Sequence, residues 1–303
     1  MPLAMPHSAI ILDALTPFML ENKGARGRVV RLSGVANRIL SHYPYPPAVA
    51  HLLGELLLVA SMLSANLKQD GILTIQLRGD GPVSLAVVDI TENKLRGYAE
   101  VTPDATFAET MTPEEIMGAG AYLAITVDPG AGMQRYQGIV ALDGADIAEV
   151  LLHYFTQSQQ VDVFLKLAVA KGQDGAWQAG GLMLERLAED GGHSQAGDVD
   201  DQWRTAKILA ATIKPTELLD PLLVGDALLY RLFHEEGVWV YAPHLLGVGC
   251  RCSRERILTI LSGMPLDDRT EMVVNGAIDV HCQFCNTSQR FTPEEIGVSG
   301  DAA

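Results

Sequence analysis

The first 249 of the 303 residues contain no cysteine, and all four cysteines lie in the last fifth of the chain. This distribution argues against a secreted disulfide framework, because such domains are short and rich in cysteine throughout. Basic residues are also scarce: 22 lysines and arginines against 37 acidic residues give a formal net charge of −15. Nucleic acids and anionic membranes are bound by clustered basic residues, so the composition argues against both as main partners.

Long apolar runs and targeting signals are lacking as well. The richest apolar stretch, residues 49–67, carries His51, Glu55 and Asn66, which makes it a poor membrane span. The apolar patch at residues 9–12 is too short for a signal peptide, and no basic residue precedes Lys23. We therefore expect a cytoplasmic protein in a reducing compartment.

Catalytic signatures are absent too. The chain has no Walker loop, no H-E-x-x-H motif and no recognisable Ser/His/Asp grouping, so we do not expect an enzyme. The glycines at 79 and 81 lie between two apolar runs, a pattern that predicts a hairpin turn rather than a phosphate loop.

The four cysteines form two close pairs. Cys250 and Cys252 make a C-x-C pair, Cys282 and Cys285 make a C-x-x-C pair, and 29 residues (253–281) separate the pairs. Each pair offers two sulfurs to one ion, and the spacer allows the second pair to fold back onto the first. The spacing predicts one zinc ion per chain bound by four thiolates, with an iron–sulfur centre as the weaker alternative.

Other interpretations explain less of this pattern. A thioredoxin-like C-x-x-C leaves the C-x-C pair unexplained, and unrelated buried thiols would rarely fall into two pairs. His244 and His281 are possible substitute ligands, but four sulfurs already complete a tetrahedral shell. A closed shell has no open position for substrate, so the predicted zinc has a structural role or acts as a sensor.

The remaining pattern predicts an α+β fold, with an N-terminal domain of hairpin-linked strands around a buried helix. That helix spans residues 48–68 and is apolar around most of its circumference, which is typical of a core helix. The other predicted elements are strands at 72–77, 83–90, 95–101, 122–127, 136–142, 161–170 and 177–184, and a helix at 147–157.

The composition changes at residues 189–201, which are acidic and glycine-bearing and predict a solvated linker. Short helices predicted at 203–213, 216–223 and 226–233 would pack marginally on the first domain or on the zinc module, and a short strand is predicted at 238–241. We expect three parts: a core domain (1–185), an acidic linker with short helices (186–245) and a zinc-binding redox-switch module (246–303). The zinc segment 250–290 is neutral, unlike a DNA-reading module.

These residues resemble the redox-regulated heat-shock holdase family, also called the 33 kDa chaperonin. The most specific match is Cys250-x-Cys252-Ser253-Arg254-Glu255-Arg256 together with Cys282-Gln283-Phe284-Cys285. Further matching stretches are residues 26–27, 43–44, 52–56, 73–82, 136–140, 154–155, 179–181 and 231–236. The chain departs from the family at Gln159, where a carboxylate is missing, and at Gln289, where a tyrosine is missing.

The resemblance implies an ATP-independent, stress-response chaperone that is inactive while reduced, with zinc on the four cysteines. Oxidation would release zinc, form Cys250–Cys252 and Cys282–Cys285 disulfides, unfold the linker and promote homodimers that bind unfolded client proteins. The cysteine count alone leaves three possible disulfide connectivities open. The alternative is a zinc-ribbon regulator that binds nucleic acid or a transcription partner, which the negative charge and the neutral zinc segment disfavour.

Overall fold

A computed structural model describes residues 13–298 except 22–23, 69, 109, 131, 188–195 and 224. The fold is α+β, as predicted. The apolar patch at 9–12 lies outside the described residues. Among the described residues, no helix is both long and apolar enough to cross a membrane.

The strands and helices follow one another in a mixed order along the chain. The strands are β1 (Asp13–Leu20), β2 (Ala25–Leu32), β3 (Ile72–Arg78), β4 (Val83–Thr91), β5 (Lys94–Val101), β6 (Tyr122–Asp128), β7 (Tyr136–Ala141), β8 (Val163–Lys171), β9 (Trp177–Arg186), β10 (Val238–Val240), β11 (His244–Leu245), β12 (Gly247–Val248), β13 (Ile278–Cys282) and β14 (Thr287–Phe291). The helices are α1 (Gly34–Leu40), α2 (Pro47–Leu63), α3 (Pro113–Met117), α4 (Ile147–Tyr154), α5 (Ala196–Ala211), α6 (Pro215–Leu219), α7 (Gly225–Phe233), α8 (Arg254–Ser262) and α9 (Leu266–Glu271).

Two large sheets organise the chain up to Val248. Sheet A has the order β10-β1-β2-β9-β8, with β11 also paired to β1, and sheet B has the order β12-β5-β4-β3-β6-β7. Neighbouring strands are antiparallel except for the β12–β5 pair. The predicted β3-β4-β5 meander and β6-β7 hairpin are confirmed.

Helix α2 lies between the two sheets and packs on strands of both. Its residues are buried around nearly the whole circumference, which confirms the predicted core helix. It ends at Leu63 and a 3-10 turn follows, so the predicted end at residue 68 is wrong. The Ser61 hydroxyl donates to the Leu57 carbonyl and the Ser64 hydroxyl to the Ser61 carbonyl, and such bonds compete with helix propagation.

The β3–β4 turn shows why glycine occupies positions 79 and 81. The Gly81 N–H donates to the Met117 carbonyl at 2.7 Å, so the turn lies directly on the end of α3. A Cβ atom at Gly79 would overlap the Met117 carbonyl oxygen. The glycines serve close backbone packing, in agreement with the predicted turn.

Helices α5, α6 and α7 form a layer on the face of sheet A opposite α2. Trp203, Leu218 and Phe233 are nearly inaccessible there, and the Phe233 ring stacks on Phe18 of β1 at 5.8 Å between centroids. The predicted marginal packing is therefore wrong, because the layer shares a continuous buried cluster with the sheet. Helix α5 begins at Ala196, so the end of the predicted 189–201 linker is helical, and residues 188–195 lie outside the described residues.

Strands β1 and β2 and helix α1 were not predicted from the sequence. Three arginines interrupt the apolar pattern of β2, at positions 26, 28 and 31. Arg28 is nonetheless buried, because it forms an ion pair with Glu185 on the neighbouring strand β9. This pairing partner lies 157 residues away in sequence and leaves no local signal.

Two compact units account for the described chain, Met1–Val248 and Gly249–Ala303. In the second unit, α8 and α9 precede the β13–β14 hairpin. Its core is small and consists of Leu261, Ile278, Phe291, Ile296 and Val298. Helix α9 has no buried residue.

Candidate metal centre

The two cysteine pairs lie in different secondary-structure contexts of the second unit. Cys250 and Cys252 lie on the extended segment before α8, and the Ser253 hydroxyl caps that helix by accepting the Arg256 N–H. Cys282 ends strand β13, and Cys285 lies in the turn that leads to β14. Asn286 has a left-handed φ of 53°, and its N–H donates to the Cys282 carbonyl at 2.8 Å. A tight hairpin turn thus positions the second pair.

The structure brings all four predicted cysteines together. Their sulfur atoms all lie within 4.8 Å of one another, and the closest distances are 3.3 Å from Cys252 to Cys285 and 3.6 Å from Cys250 to Cys282. All four are free thiols. Four sulfurs bound to one zinc ion at about 2.3 Å lie about 3.8 Å apart, so the cluster has the dimensions of a tetrahedral sulfur site.

Backbone hydrogen bonds support both pairs in the same way. The Cys250 sulfur accepts the N–H of Cys252, and the Cys282 sulfur accepts the N–H of Cys285. The Thr287 hydroxyl lies 2.9 Å from the Cys285 sulfur. These outer contacts orient the sulfurs and favour thiolate, the form that binds a metal. Thr287 was not identified from the sequence. The only sequence signal for its role is its position two residues after Cys285.

The thiols ionise unequally. Burial opposes ionisation of Cys250, but the Cys252 N–H and the other thiols outweigh it and lower the pKa of Cys250 to about 7. Burial raises the pKa of Cys252 and of Cys282, and hydrogen bonds with neighbouring thiols raise the pKa of Cys252 further. Of Cys250, Cys252 and Cys282, only Cys250 has a lowered pKa.

Neither candidate histidine belongs to the sulfur cluster among the described residues. The His281 ring faces the Ser288 hydroxyl at 3.1 Å, and His244 lies in β11, opposite Leu15 of β1. The four cysteines therefore form a complete donor set, and its soft sulfur ligands suit zinc.

An arginine and an aromatic ring hold the second unit together beside the cysteines. Arg254 follows the Cys250–Cys252 pair, and its guanidinium lies 4.3 Å from the centroid of the buried Phe291 ring. It also bonds to the Arg290 carbonyl and forms a 2.6 Å ion pair with Glu295. Arg254 thus links the helix that follows one cysteine pair to the strand that follows the other.

Comparison with known proteins now decides the family. The family model described as Hsp33 protein matches residues 13–292. The chain belongs to the Hsp33 family.

Curated relatives span nearly the whole chain. The 33 kDa chaperonin of Caulobacter vibrioides is 35% identical over 298 residues, covering 95% of this chain and 97% of the relative. That of Proteus mirabilis is 38% identical over 288 residues, covering 94% and 95%. A crystal structure of the 33 kDa chaperonin from Thermotoga maritima matches with a TM-score of 0.76 at 20% sequence identity. The match covers 94% of this chain and 96% of that structure, so the two share the same fold.

The two departures from the family pattern have different surroundings. The Gln159 amide donates to the hydroxyls of Tyr136 at 2.9 Å and Tyr154 at 3.2 Å. Gln289 lies opposite Val280 in the β13–β14 hairpin.

Proposed function

We propose that this Hsp33 family protein is a redox-switched, ATP-independent holdase that is zinc-bound and inactive when reduced. The single observation that carries the proposal is the sulfur cluster, which joins both halves of a unit with only five buried apolar side chains in its core. In a unit this small (Gly249–Ala303), a single apolar core rarely supplies more than a few kcal/mol of stability, and natural domains of this size often add a metal or disulfides. The metal would therefore control whether the second unit is folded.

In the reduced state Cys250, Cys252, Cys282 and Cys285 hold the ion as thiolates. Zinc bound to four thiolates contributes about 10–16 kcal/mol to the folding of a small module. The backbone N–H groups of Cys252 and Cys285 orient two of the sulfurs, and Thr287 lies against a third. The thiolates are also the groups that peroxide oxidises.

In the oxidised state, Cys250 joins Cys252 and Cys282 joins Cys285. Each pair of thiolates gives two electrons to one peroxide molecule, which takes up two protons from solvent and becomes two water molecules, and the ion would lose all four ligands. Each short disulfide loop constrains the unfolded chain by only about 2 kcal/mol. Oxidation thus removes more stability than it restores, and the second unit unfolds.

The segment before the cysteines connects this unfolding to the first unit. Strands β10 and β11 pair with β1 of sheet A, and β12 pairs with β5 of sheet B. Short edge strands whose chain continues into an unfolded segment separate easily. Their release would expose the helical layer α5–α7 and its apolar side chains to client proteins.

The apolar side chains of this layer differ in how far they are buried. Leu218 is buried, and Leu209, Leu219 and Leu223 are partly buried, so all four are available for later exposure. Ile208 and Leu222 are already 61% and 77% exposed. The partner is thus an unfolded protein with apolar segments, and the oxidised chains would form homodimers. Because the thiols must remain reduced at rest, we place the protein in the cytoplasm.

Suppression of client aggregation tests this function directly. We expect the oxidised protein to keep a thermally unfolded client in solution without ATP, and the reduced zinc-bound protein to fail. A variant with serine at all four cysteine positions is the matched control, and peroxide should not change its activity. Equal suppression by reduced and oxidised wild-type protein would contradict the redox switch.

A further inference from the structure

A cleft in the first unit lies between α2, the loop that precedes α3, and the start of α4. It has an outer chamber of about 560 Å³ and an inner chamber of about 80 Å³. Ala48, His51, Met111 and Ala145 line both chambers. The cleft therefore narrows from a wide mouth to a small end inside the protein.

A buried carboxyl group forms the inner end of this cleft. Glu55 of α2 is only 6% exposed and lines the inner chamber together with Asp146, the N-cap residue of α4. The Glu55 carboxyl accepts the N–H of Ile147, and the nearest basic group is His51, whose Nδ1 lies 4.0 Å away. Among the described residues, no lysine or arginine lines either chamber.

The charge balance around Glu55 is therefore unusual. Glu115 lies at the mouth, so the cleft has three carboxyl groups. Burial, together with the smaller effect of the nearby Asp146 carboxylate, raises the pKa of Glu55 to about 8. Burial also lowers the pKa of His51, so this ring supplies no positive charge near neutral pH. The Lys171 ammonium lies 5.1 Å from the centroid of the Trp177 ring, which lines the outer chamber.

We propose that this cleft binds a primary ammonium group on an unbranched aliphatic stem, with the ammonium next to Glu55 and Asp146. A water molecule takes up about 30 Å³, so the inner chamber has room for an ammonium and one or two carbons. Leu52, Met111 and Ile116 provide apolar walls for the stem. An anion is excluded by the carboxyl groups and a bulky cation by the width of the inner chamber.

Binding couples to one proton. The neutral Glu55 carboxyl releases its proton to solvent, and the resulting carboxylate pairs with the ammonium, which keeps its own three protons. Ion pairing thereby compensates the cost of a buried charge. Proton release makes binding tighter as pH rises towards 8, where less work is needed to ionise Glu55.

Free alkylamines and the lysine side chains of polypeptides both carry a primary ammonium group on an unbranched aliphatic stem. All lining residues belong to the first unit, so this inference does not depend on the proposed redox function.

Isothermal titration of the reduced, full-length protein at pH 8 with n-butylammonium tests the site. We expect saturable binding with one site per chain and at least tenfold weaker binding to Glu55→Gln. Titration in buffers of different ionisation enthalpy should show release of about half a proton per site at pH 8, rising towards one proton at lower pH. Glu114→Gln, on the exposed side of α3, is the matched control and should bind like wild type. Nα-acetyl-lysine amide, as a second ligand, shows whether a lysine side chain also enters.

A branched amine distinguishes binding in the cleft from nonspecific electrostatic attraction to a protein with a net charge of −15. tert-Butylammonium carries the same charge but is branched at the carbon next to nitrogen, and we expect no saturable binding. Equal binding of both amines, or unchanged binding to a folded Glu55→Gln, would overturn the proposal. If the Glu55→Gln variant fails to fold, the test is the NMR signal of the Met111 methyl group in the wild-type protein. An unchanged chemical shift of that methyl at saturating n-butylammonium would also overturn the proposal.

Discussion

The two units of this protein are stabilised by different means. In the first unit, α2 lies between two six-stranded sheets and the α5–α7 layer covers a further face, so every large element packs on another. In the second unit, the apolar core is a small cluster drawn from α8, the β13–β14 hairpin and the segment after it, and four sulfurs lie within 4.8 Å of one another. We expect burial of apolar area to be sufficient for the first unit, whereas the proposed function makes the second depend on a metal cross-link.

This difference explains how one chain can contain a stable part and a conditional part. Chemistry that reaches the sulfurs changes the folding of the second unit without touching the core around α2. A switch of this kind requires that the conditional unit be small, because a larger apolar core would stay folded without its metal.

The largest expected effect is the loss of the metal. Cys282→Ser removes one of four sulfurs, so the reduced variant should lose most of its zinc and the second unit should unfold, while the core around α2 keeps its amide protection. Elemental analysis should give about one zinc per chain for wild type. The neighbouring His281→Ala is the matched control and should retain its zinc; full retention by Cys282→Ser would mean that another group is the ligand.

The second largest effect distinguishes the apolar core of the second unit from that of the first. Phe291→Ala removes a fully buried ring from the small core, at a cost of about 3–5 kcal/mol. Because folding and metal binding are coupled there, zinc affinity should fall by about 100-fold or more. Leu56→Ala in α2 should cost about 2–5 kcal/mol in the first unit and leave zinc affinity unchanged. Competition with a chelator measures the zinc affinity of both variants. Equal zinc affinities would show that the small core of the second unit does not contribute to zinc binding.

Helix α6 offers an intermediate test, because two features fix it to sheet A. Arg31 of β2 donates to the Glu217 and Asp220 carbonyls, and a Cβ at Gly180 of β9 would overlap the Leu218 carbonyl. Arg31→Met should cost about 1–3 kcal/mol by leaving these carbonyls unpaired.

Limited proteolysis measures this loosening. Arg31→Met and Gly180→Ala should both speed cleavage within residues 189–245, in the reduced protein and more so after oxidation. The exposed Arg38→Met should not. First cleavage inside α2 would contradict the view that the core is the more stable part.

Glu55 predicts a pH effect on the stability of the first unit. The pKa of Glu55 is raised in the folded state to about 8, so the folded protein holds a proton that the unfolded chain loses above its ordinary value near 4.5. Stability from this group is complete below that lower pH and falls as pH rises to about 8. Thermal melts of wild type should show this decline and Glu55→Gln should show less of it; identical slopes would contradict the assignment.

The smallest effect is expected at Gln159. In Gln159→Glu a carboxylate would accept hydrogen bonds from Tyr136 and Tyr154, where the amide now donates to both hydroxyls. Stability should change by about 1 kcal/mol or less, and peroxide-driven zinc release should keep its wild-type rate. A large change in zinc release would mean that this position contributes to the switch threshold.

Local sequence signals predicted the elements with strong periodicity. Helix α2, the meander of β3 to β5 and the approach of the two cysteine pairs follow from apolar spacing, turn residues and ligand spacing. Strand β2 was missed because Arg28 is satisfied only by the distant Glu185. The start of α5 was missed because its first residues are acidic and polar, and the packing of its later residues on sheet A decides their conformation.

At the cysteine site, the sequence predicted the residues but not their support. The N–H groups of Cys252 and Cys285 and the Thr287 hydroxyl contribute through tertiary geometry, which ligand spacing does not specify. The Glu55 cleft was invisible for the same reason, since a glutamate in an apolar helix shows neither its cavity nor its neighbour Asp146.

Treatment of the reduced, zinc-loaded protein with peroxide at mildly raised temperature tests the central claim most directly. Zinc release, far-UV helicity, binding of a hydrophobic dye and suppression of client aggregation are followed in the same sample. The account predicts that zinc leaves, helicity falls, dye binding rises and aggregation is suppressed together. If zinc leaves and both disulfides form while helicity, dye binding and client aggregation stay at their reduced levels, the second unit does not control the first.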